Sequence, residues 1–315
     1  MRIQAMRNLR VVRTWLALAT VVAVLMCSAP VRAAGPVDLI NAEAAKRDIT
    51  VQQLRGGVSV VMGSGGNITV LETPAGKLLV DGGIALSRPR LDEVLVQIGA
   101  GKPEYLVNTH WHWDHTDSNE WLHGLGATII GHPNTLKHLS HTVRVEDWQH
   151  TFEPVPSAAR PTVLVEKSRS LDFGGEKVLI KHYRPAHTDG DLSVYFANAD
   201  VLATGDTYWN GVYPFIDYVA GGSIDGMIRA ADANMAQAKE TTLIVPGHGP
   251  VAHRADLVEF RDMLVTIRAN VAKLKGEGKS LDEAIAARPT AAFDAKWGQF
   301  VINPAFFTSL VYRGV

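Results

Sequence analysis

Four residues able to bind a metal crowd into six positions: His110, His112, Asp114 and His115, in the pattern H-x-H-x-D-H. Three more candidates follow at wide spacing: His187 in A-H-T-D-G-D, Asp206 in T-G-D-T and His248 in P-G-H-G-P. Imidazole nitrogen together with carboxylate oxygen is the donor set that suits zinc and its neighbours. Residues two apart on an extended chain point the same way, so His110 and His112 can share one ion. Asp114 and His115 lie beyond them, where the chain must turn, and can face a second. Each ion then needs a distant donor. Taken singly these residues are ordinary, since a lone histidine is more often a surface or core residue than a ligand, and Asp206 alone fits a turn. Their joint spacing is what points to a metal pair. The other histidines (His123, His132, His138, His141, His150, His182 and His253) have no such company and read as structural.

The expected chemistry follows from the charges. Two divalent ions held by two carboxylates leave a net positive site. Water between them loses its proton near neutral pH and becomes a strong nucleophile. The same ions polarise a carbonyl or phosphoryl oxygen and stabilise the oxyanion that forms. Asp114 can orient the hydroxide and move a proton. A metal-free serine route is disfavoured, because Asp191-Leu192-Ser193-Val194 lacks the G-x-S-x-G nucleophile elbow.

These residues need strands to deliver them. Tyr105–Val107 reads as a buried strand ending just before His110. Further strands are expected at Val58–Met62, Asn67–Thr73, Lys77–Val80, Thr128–Ile130, Thr162–Val165, Val178–His182, Ser193–Phe196, Val201–Ala203 and Leu243–Val245. His187, Asp206 and His248 each come just after one of them, in Gly-containing loops, where sheet proteins place their chemistry. Leu91–Ile98 reads as a helix, and Ser223 as the cap of another running to about Lys239. Leu257, Phe260, Leu264, Ile267, Val271 and Leu274 recur at steps of three and four, the core-facing stripe of a long helix. Ser280-Leu281-Asp282-Glu283 is a capping box. Pro154, Pro156 and Pro161 make Phe152–Pro161 a loop. Gly63–Gly66 and Tyr208–Gly222 are the expected substrate-lining segments. Trp111, Trp113, Tyr208, Trp209, Tyr213 and Phe215 neighbour ligands in sequence and are candidates to shape a pocket, Trp111 fitting the core better.

The chain opens with Arg2, Arg7, Arg10 and Arg13, an apolar run from Trp15 to Met26, and small residues ending Val31-Arg32-Ala33-Ala34. That is the layout of a secretory signal peptide, 1–33, cleaved after Ala33, with an uncleaved N-terminal anchor as the alternative. The run is too short for a comfortable membrane span. The expected location is therefore periplasmic or secreted, with no stable membrane association after cleavage. The leader carries five Arg and no acid, so the remaining 282 residues go from a net charge of −1 to −6. A mildly acidic surface argues against nucleic acid and anionic membrane as partners, and the expected partner is a small-molecule substrate. Cys27, the only cysteine, leaves with the leader. Residues 34–315 alternate strand and helix around one core and read as a single α/β domain.

From about Val58 to Arg254 the chain resembles the metallo-β-lactamase superfamily, on H-x-H-x-D-H followed in order by His187, Asp206 and His248. The resemblance implies a four-layer αβ/βα sandwich, two mixed sheets flanked by helices. It implies that His110, His112 and His187 hold one zinc ion, that Asp114, His115 and His248 hold a second, and that Asp206 bridges both. It also implies hydrolysis of an ester, lactone, thioester or β-lactam carbonyl. The main β-lactamase branch usually carries Cys where Asp206 stands, and often Lys where Trp209 stands. β-Lactamase activity is therefore expected to be secondary; any tight penicillin binding would need another cation, such as Arg184 or Arg254. Asp206 matches the glyoxalase II, lactonase and phosphodiesterase branches, and His112 departs from the flavin-linked di-iron branch. Asp117 stands where relatives often have Gly, at the cost of a less easily adopted left-handed turn. The alternatives are an iron-dependent sulfur dioxygenase of the same superfamily and a non-catalytic zinc-binding protein.

Overall fold

Alternating Val, Ile and Leu in the N-terminal third build a sheet with two apolar faces. In the computed structural model, which describes residues 35–315, β1 (Thr50–Gln53), β2 (Val58–Met62), β3 (Ile68–Thr73) and β4 (Gly76–Val80) run as an antiparallel meander. β5 (Pro103–Val107) and β6 (Thr128–Gly131) add in parallel. β7 (Val143–Val145) and β8 (His150–Phe152) form a separate small hairpin, and β9 (Val163–Leu164) returns beside β6. The second sheet is β10 (Ser168–Phe173), β11 (Glu176–His182), β12 (Leu192–Phe196), β13 (Val201–Ala203) and β14 (Leu243–Val245), antiparallel except for the last pair. The leader and its cleavage point lie outside the described residues.

Helices α1 (Pro36–Ala44), α2 (Arg88–Ile98), the single turn α3 (Trp113–Thr116), α4 (Asn119–Gly124) and α5 (Pro133–Leu139) interleave with the first sheet. α6 (Ile224–Gln237) precedes β14. α7 (Arg254–Gly276), α8 (Leu281–Ala286), α9 (Asp294–Trp297) and α10 (Pro304–Gly314) follow it. No helix among the described residues is long and apolar enough to cross a membrane.

The period of two sorts each strand between layers. Leu78 and Val80 of β4 meet Val178, Ile180 and Val194 of the second sheet, while Leu79 between them faces Leu91 and Leu95 of α2. The outer face of the second sheet is covered by α6, α7 and α10 through Met227, Phe260, Ile267 and Leu310. The result is helix, sheet, sheet, helix: a four-layer αβ/βα sandwich with mixed sheets. The described residues, 35–315, form one compact unit.

Most expected elements lie within two or three residues of their predicted ends. Ser223 caps α6 by accepting from the Gly226 amide, and the Ser280–Glu283 capping box opens α8. Several elements had not been expected: α1, β1, α4, α5, the β7–β8 hairpin, β10, α9 and α10. The Phe152–Pro161 segment is a loop apart from Phe152, which ends β8, and a short 3-10 turn at Ser157–Ala159. Asp117 needs no left-handed turn: its φ is −64°, and its Oδ2 accepts from the Ala85 amide.

Candidate metal centre

The chain leaves β5 through Asn108 and Thr109 and reaches His110. His112, just before α3, is extended (φ −61°, ψ 145°), as the two-residue spacing requires. α3 then turns the chain at once and carries Asp114 and His115. His187 lies in the loop between β11 and β12. Asp206 sits in a 3-10 turn, Gly205–Thr207, after β13, and His248 in the loop after β14. Two groups of donors converge: His110, His112, His187 and Asp206; and Asp114, His115 and His248. Within each group the donor atoms lie within 4.8 Å of one another. The Asp206 carboxylate reaches both, with Oδ2 3.5 Å from His187 Nε2 and Oδ1 3.1 Å from His115 Nε2.

Hydrogen bonds fix which nitrogen each ring presents. Thr109 Oγ1 donates to Asp81 Oδ2 (2.7 Å), so at 3.0 Å it accepts from His110 Nδ1. His187 Nδ1 donates to the Phe215 carbonyl (2.9 Å). His112 Nε2 donates to Asp217 Oδ2 (2.9 Å), and His115 Nδ1 to Asp81 Oδ2 (2.8 Å). The remaining nitrogens all point inward. His112 Nδ1 and His187 Nε2 face each other at 2.9 Å. His110 Nε2 is buried with no hydrogen-bond partner. Two facing lone pairs repel, and buried orphan acceptors are costly. A cation removes both problems, and bonds of about 2.0–2.1 Å at a tetrahedral angle put two nitrogens roughly 3.3 Å apart. The residues present thus fit a pair of metal ions. The chain passes close beside them at two glycines: a Cβ on Gly66 would strike the His115 ring, and one on Gly247 the Asp206 carboxylate.

Burial and charge divide the imidazoles. Burial, reinforced by its neighbouring histidines, holds His110 well below the usual range, and burial takes His187 down to about 4. Both are neutral at pH 7, the form that binds metal. Burial also pulls on His115 and His248, but Asp206 and Asp114 outweigh it; His115 is held well above its ordinary value and His248 rises to about 9. Their protons occupy the places that an ion would take. Burial would raise Asp206, yet His115, His248 and His110 keep its carboxyl well below the ordinary range.

Sequence reasoning missed the groups that hold the rings. Asp81, at φ 65°, ties Thr109 and His115 together. Its signal was a carboxylate directly after β4 and before Gly82-Gly83. Asp191 accepts from the His187 and Thr188 amides, and burial raises it to about 7. Asp217 holds His112 and takes the Val219 and Ala220 amides; no motif marks it. Asp217→Asn keeps the shape and weakens the bond to His112. The expected result is metal affinity about 10- to 100-fold weaker with the fold intact, read by competition with a chromophoric chelator. Unchanged affinity would assign Asp217 to loop packing alone.

The donors border a cavity of about 240 Å³, on which His112, Asp114, Asp206 and His248 open. Both expected lining segments contribute, through Gly63 and Gly65 and through Trp209 and Phe215. Trp113 joins them, whereas Trp111, Tyr208 and Tyr213 pack into the core. Trp148, α1 and the Phe300–Val301 turn also form walls, and had not been expected to. Arg254 pairs with Glu240 and neither it nor Arg184 lines the cavity; the basic side chain that does is Arg47.

The family model described as the metallo-beta-lactamase superfamily matches residues 61–248. An uncharacterized protein of Mycobacterium bovis is 28% identical over 205 residues, 56% of this chain and 88% of the relative. A probable metallo-hydrolase of Bacillus subtilis is 25% identical over 150 residues, 47% of this chain and 69% of the relative. Among solved structures, the inverting sec-alkylsulfatase Pisa1 from Pseudomonas sp. superposes with a TM-score of 0.64 at 16% identity, over 84% of this chain and 50% of that one. The DIM-1 metallo-β-lactamase gives 0.56 at 17% identity, over 70% and 98%. This chain spans about half the length of the alkylsulfatase, and both likenesses are of fold alone. The family match covers more than half of the chain and encloses every candidate ligand, so the chain belongs to the metallo-β-lactamase superfamily.

Proposed function

We propose that the protein is an exported dinuclear zinc hydrolase that adds water to an ester, lactone, thioester or β-lactam carbonyl. The observation that carries this reading is the convergence of seven inward-facing donors, His110 Nε2 among them without a partner, at the edge of a cavity sized for a small molecule. Bound metal would supply a Lewis acid and lower the pKa of water. The chain's residues do the rest. His110, His112 and His187 would hold one ion and Asp114, His115 and His248 the other, with Asp206 between. Asp114 Oδ2 lies 3.3 Å from His248 Nε2 and borders the cavity, placed to hold a proton during turnover. The aromatic walls orient the substrate and exclude bulk water. Trp209 offers no ammonium for a substrate carboxylate, which supports ranking β-lactams as secondary substrates.

The test is a hydrolysis screen on mature protein with measured metal content. The panel should include a penicillin, a carbapenem, an acyl-homoserine lactone, lactoylglutathione, a phosphodiester and, given the likeness to an alkylsulfatase, a secondary alkyl sulfate. Two zinc equivalents per chain are expected when zinc is supplied. One ion or fewer in active protein would overturn the dinuclear reading. Iron content with oxygen consumption would move the protein to the sulfur dioxygenases, and zinc without turnover of any ester to the binding proteins.

Export is part of the proposal. Its support is the Arg-rich start, the short apolar run and the Val-Arg-Ala end of the leader. Mass spectrometry of periplasmic protein should find Ala34 first, and full-length chain confined to the cytosol would refute it.

A further inference from the structure

We infer that the cavity beside the metal centre receives an apolar acyl or aryl group of the substrate, with α1 and the Phe300–Val301 turn as its specificity wall. The inference rests on the hydrolase reading and narrows it to a substrate class. The inner wall is a run of packed rings: Trp113 and Trp148 lie 6.1 Å apart between centroids, and Trp148 and Phe215 5.0 Å apart. At the rim, Leu39 is 60% exposed, Phe300 41% and Val301 39%. Single exposed apolar side chains need no explanation. Three gathered at one cavity mouth mark a surface that an apolar ligand covers.

Charge points the same way. Apart from Asp114, Asp206 and the imidazoles, the charged side chains lining the cavity are Glu43 and Arg47, one of each sign, so the wall selects no net charge. Size sets the scale. An engineered cavity of about 150 Å³ lined by Leu, Ile and Phe binds benzene. The roughly 240 Å³ present takes a ring with a short chain, or an alkyl chain of similar bulk.

The α1 part of the wall is anchored. Val37 anchors α1 in the core, Trp113 Nε1 donates to Asn41 Oδ1 at 2.9 Å, and the Arg90 guanidinium donates to the Ala44 and Ala45 carbonyls at 2.7 and 2.8 Å. Both wall segments fall outside residues 61–248, the stretch matched by the family model. The shape of this end of the cavity is therefore set by segments other than the stretch that carries the candidate ligands.

The experiment uses zinc-loaded protein and p-nitrophenyl esters from acetate to octanoate. kcat/KM should rise at least about twofold per added CH2, from apolar burial. The double variant L39E/F300E should lower the octanoate-to-acetate ratio at least about tenfold. V96E, which alters a still more exposed apolar residue on α2, should leave that ratio unchanged. Calorimetry gives a readout without turnover: octanoate should bind at least about tenfold more tightly than acetate, and the double variant should erase the difference. If neither these esters nor any member of the hydrolysis panel is cleaved but octanoate binds as described, the hydrolase reading fails and the apolar pocket stands. A flat chain-length profile with equal binding of the two acids overturns the inference. So does a steep profile that L39E/F300E leaves intact.

Discussion

The expected result for His112→Ala is a loss of at least about a hundredfold in kcat/KM for the best substrate, and the same is expected for Asp114→Asn. A hundredfold is about 2.7 kcal/mol of lost transition-state stabilisation. His112 presents Nδ1 to the site while Asp217 holds its other nitrogen, so removing the ring takes away a donor and strands a buried carboxylate at once. Asp114→Asn is subtler. The amide keeps the volume but cannot carry a proton, and it turns an acceptor beside His248 into a group with two N–H bonds. The matched control is His141→Ala, because His141 is exposed and its ring bonds only the Lys137 carbonyl. Its activity should stay within about twofold of the parent. Steady-state kinetics with metal analysis and a thermal melt of each variant checks the series. If His141→Ala proved as damaging as His112→Ala, the ligand assignment would be wrong.

Stripping the metal is expected to abolish activity and to lower the melting temperature by at least about 5 °C, and added zinc to restore both. The seven donors are almost entirely buried. Without ions, the His112 and His187 nitrogens face each other unshielded, and Asp206 depends on protonated His115 and His248 for compensation. A ligand held at a hundred times its dissociation constant stabilises the folded state by about 2.7 kcal/mol. In a domain of this size each kcal/mol moves the midpoint by roughly 2–4 °C. Calorimetry before and after dialysis against a chelator measures the shift. Full activity together with an unmoved melt, in protein shown to be metal-free, would sink the proposal.

The donors were legible because ligand chemistry restricts residue type and backbone spacing together. H-x-H-x-D-H works only where an extended segment meets a turn, and the structure has that junction at His112. Strands of the inter-sheet core were legible because burial leaves them no polar option. The residues that hold the rings obey no such rule. Asp217 needs only to be near His112 in space, and 105 residues separate them. Trp148 and Phe300 reach the cavity from remote segments by packing alone. β10 was hidden because it is an edge strand, polar and exposed along Ser168–Ser170 with only Phe173 buried. The start of α10 carried a readable sign, Asn303 before Pro304, whose side chain accepts from the Phe306 amide.

The donors are shared between the two sheets. His110 to His115 follow β5 of the first, while His187, Asp206 and His248 hang from the second. Ions bound among them therefore act as a rivet between the layers, and occupancy is felt along both. The Asn108 amide, bonded to the Ile130 carbonyl, and the Thr204 amide, bonded to the Val245 carbonyl, sit at the riveted strand ends of opposite sheets. Their exchange with deuterated solvent should slow together as metal is added, as one cooperative unit rather than two.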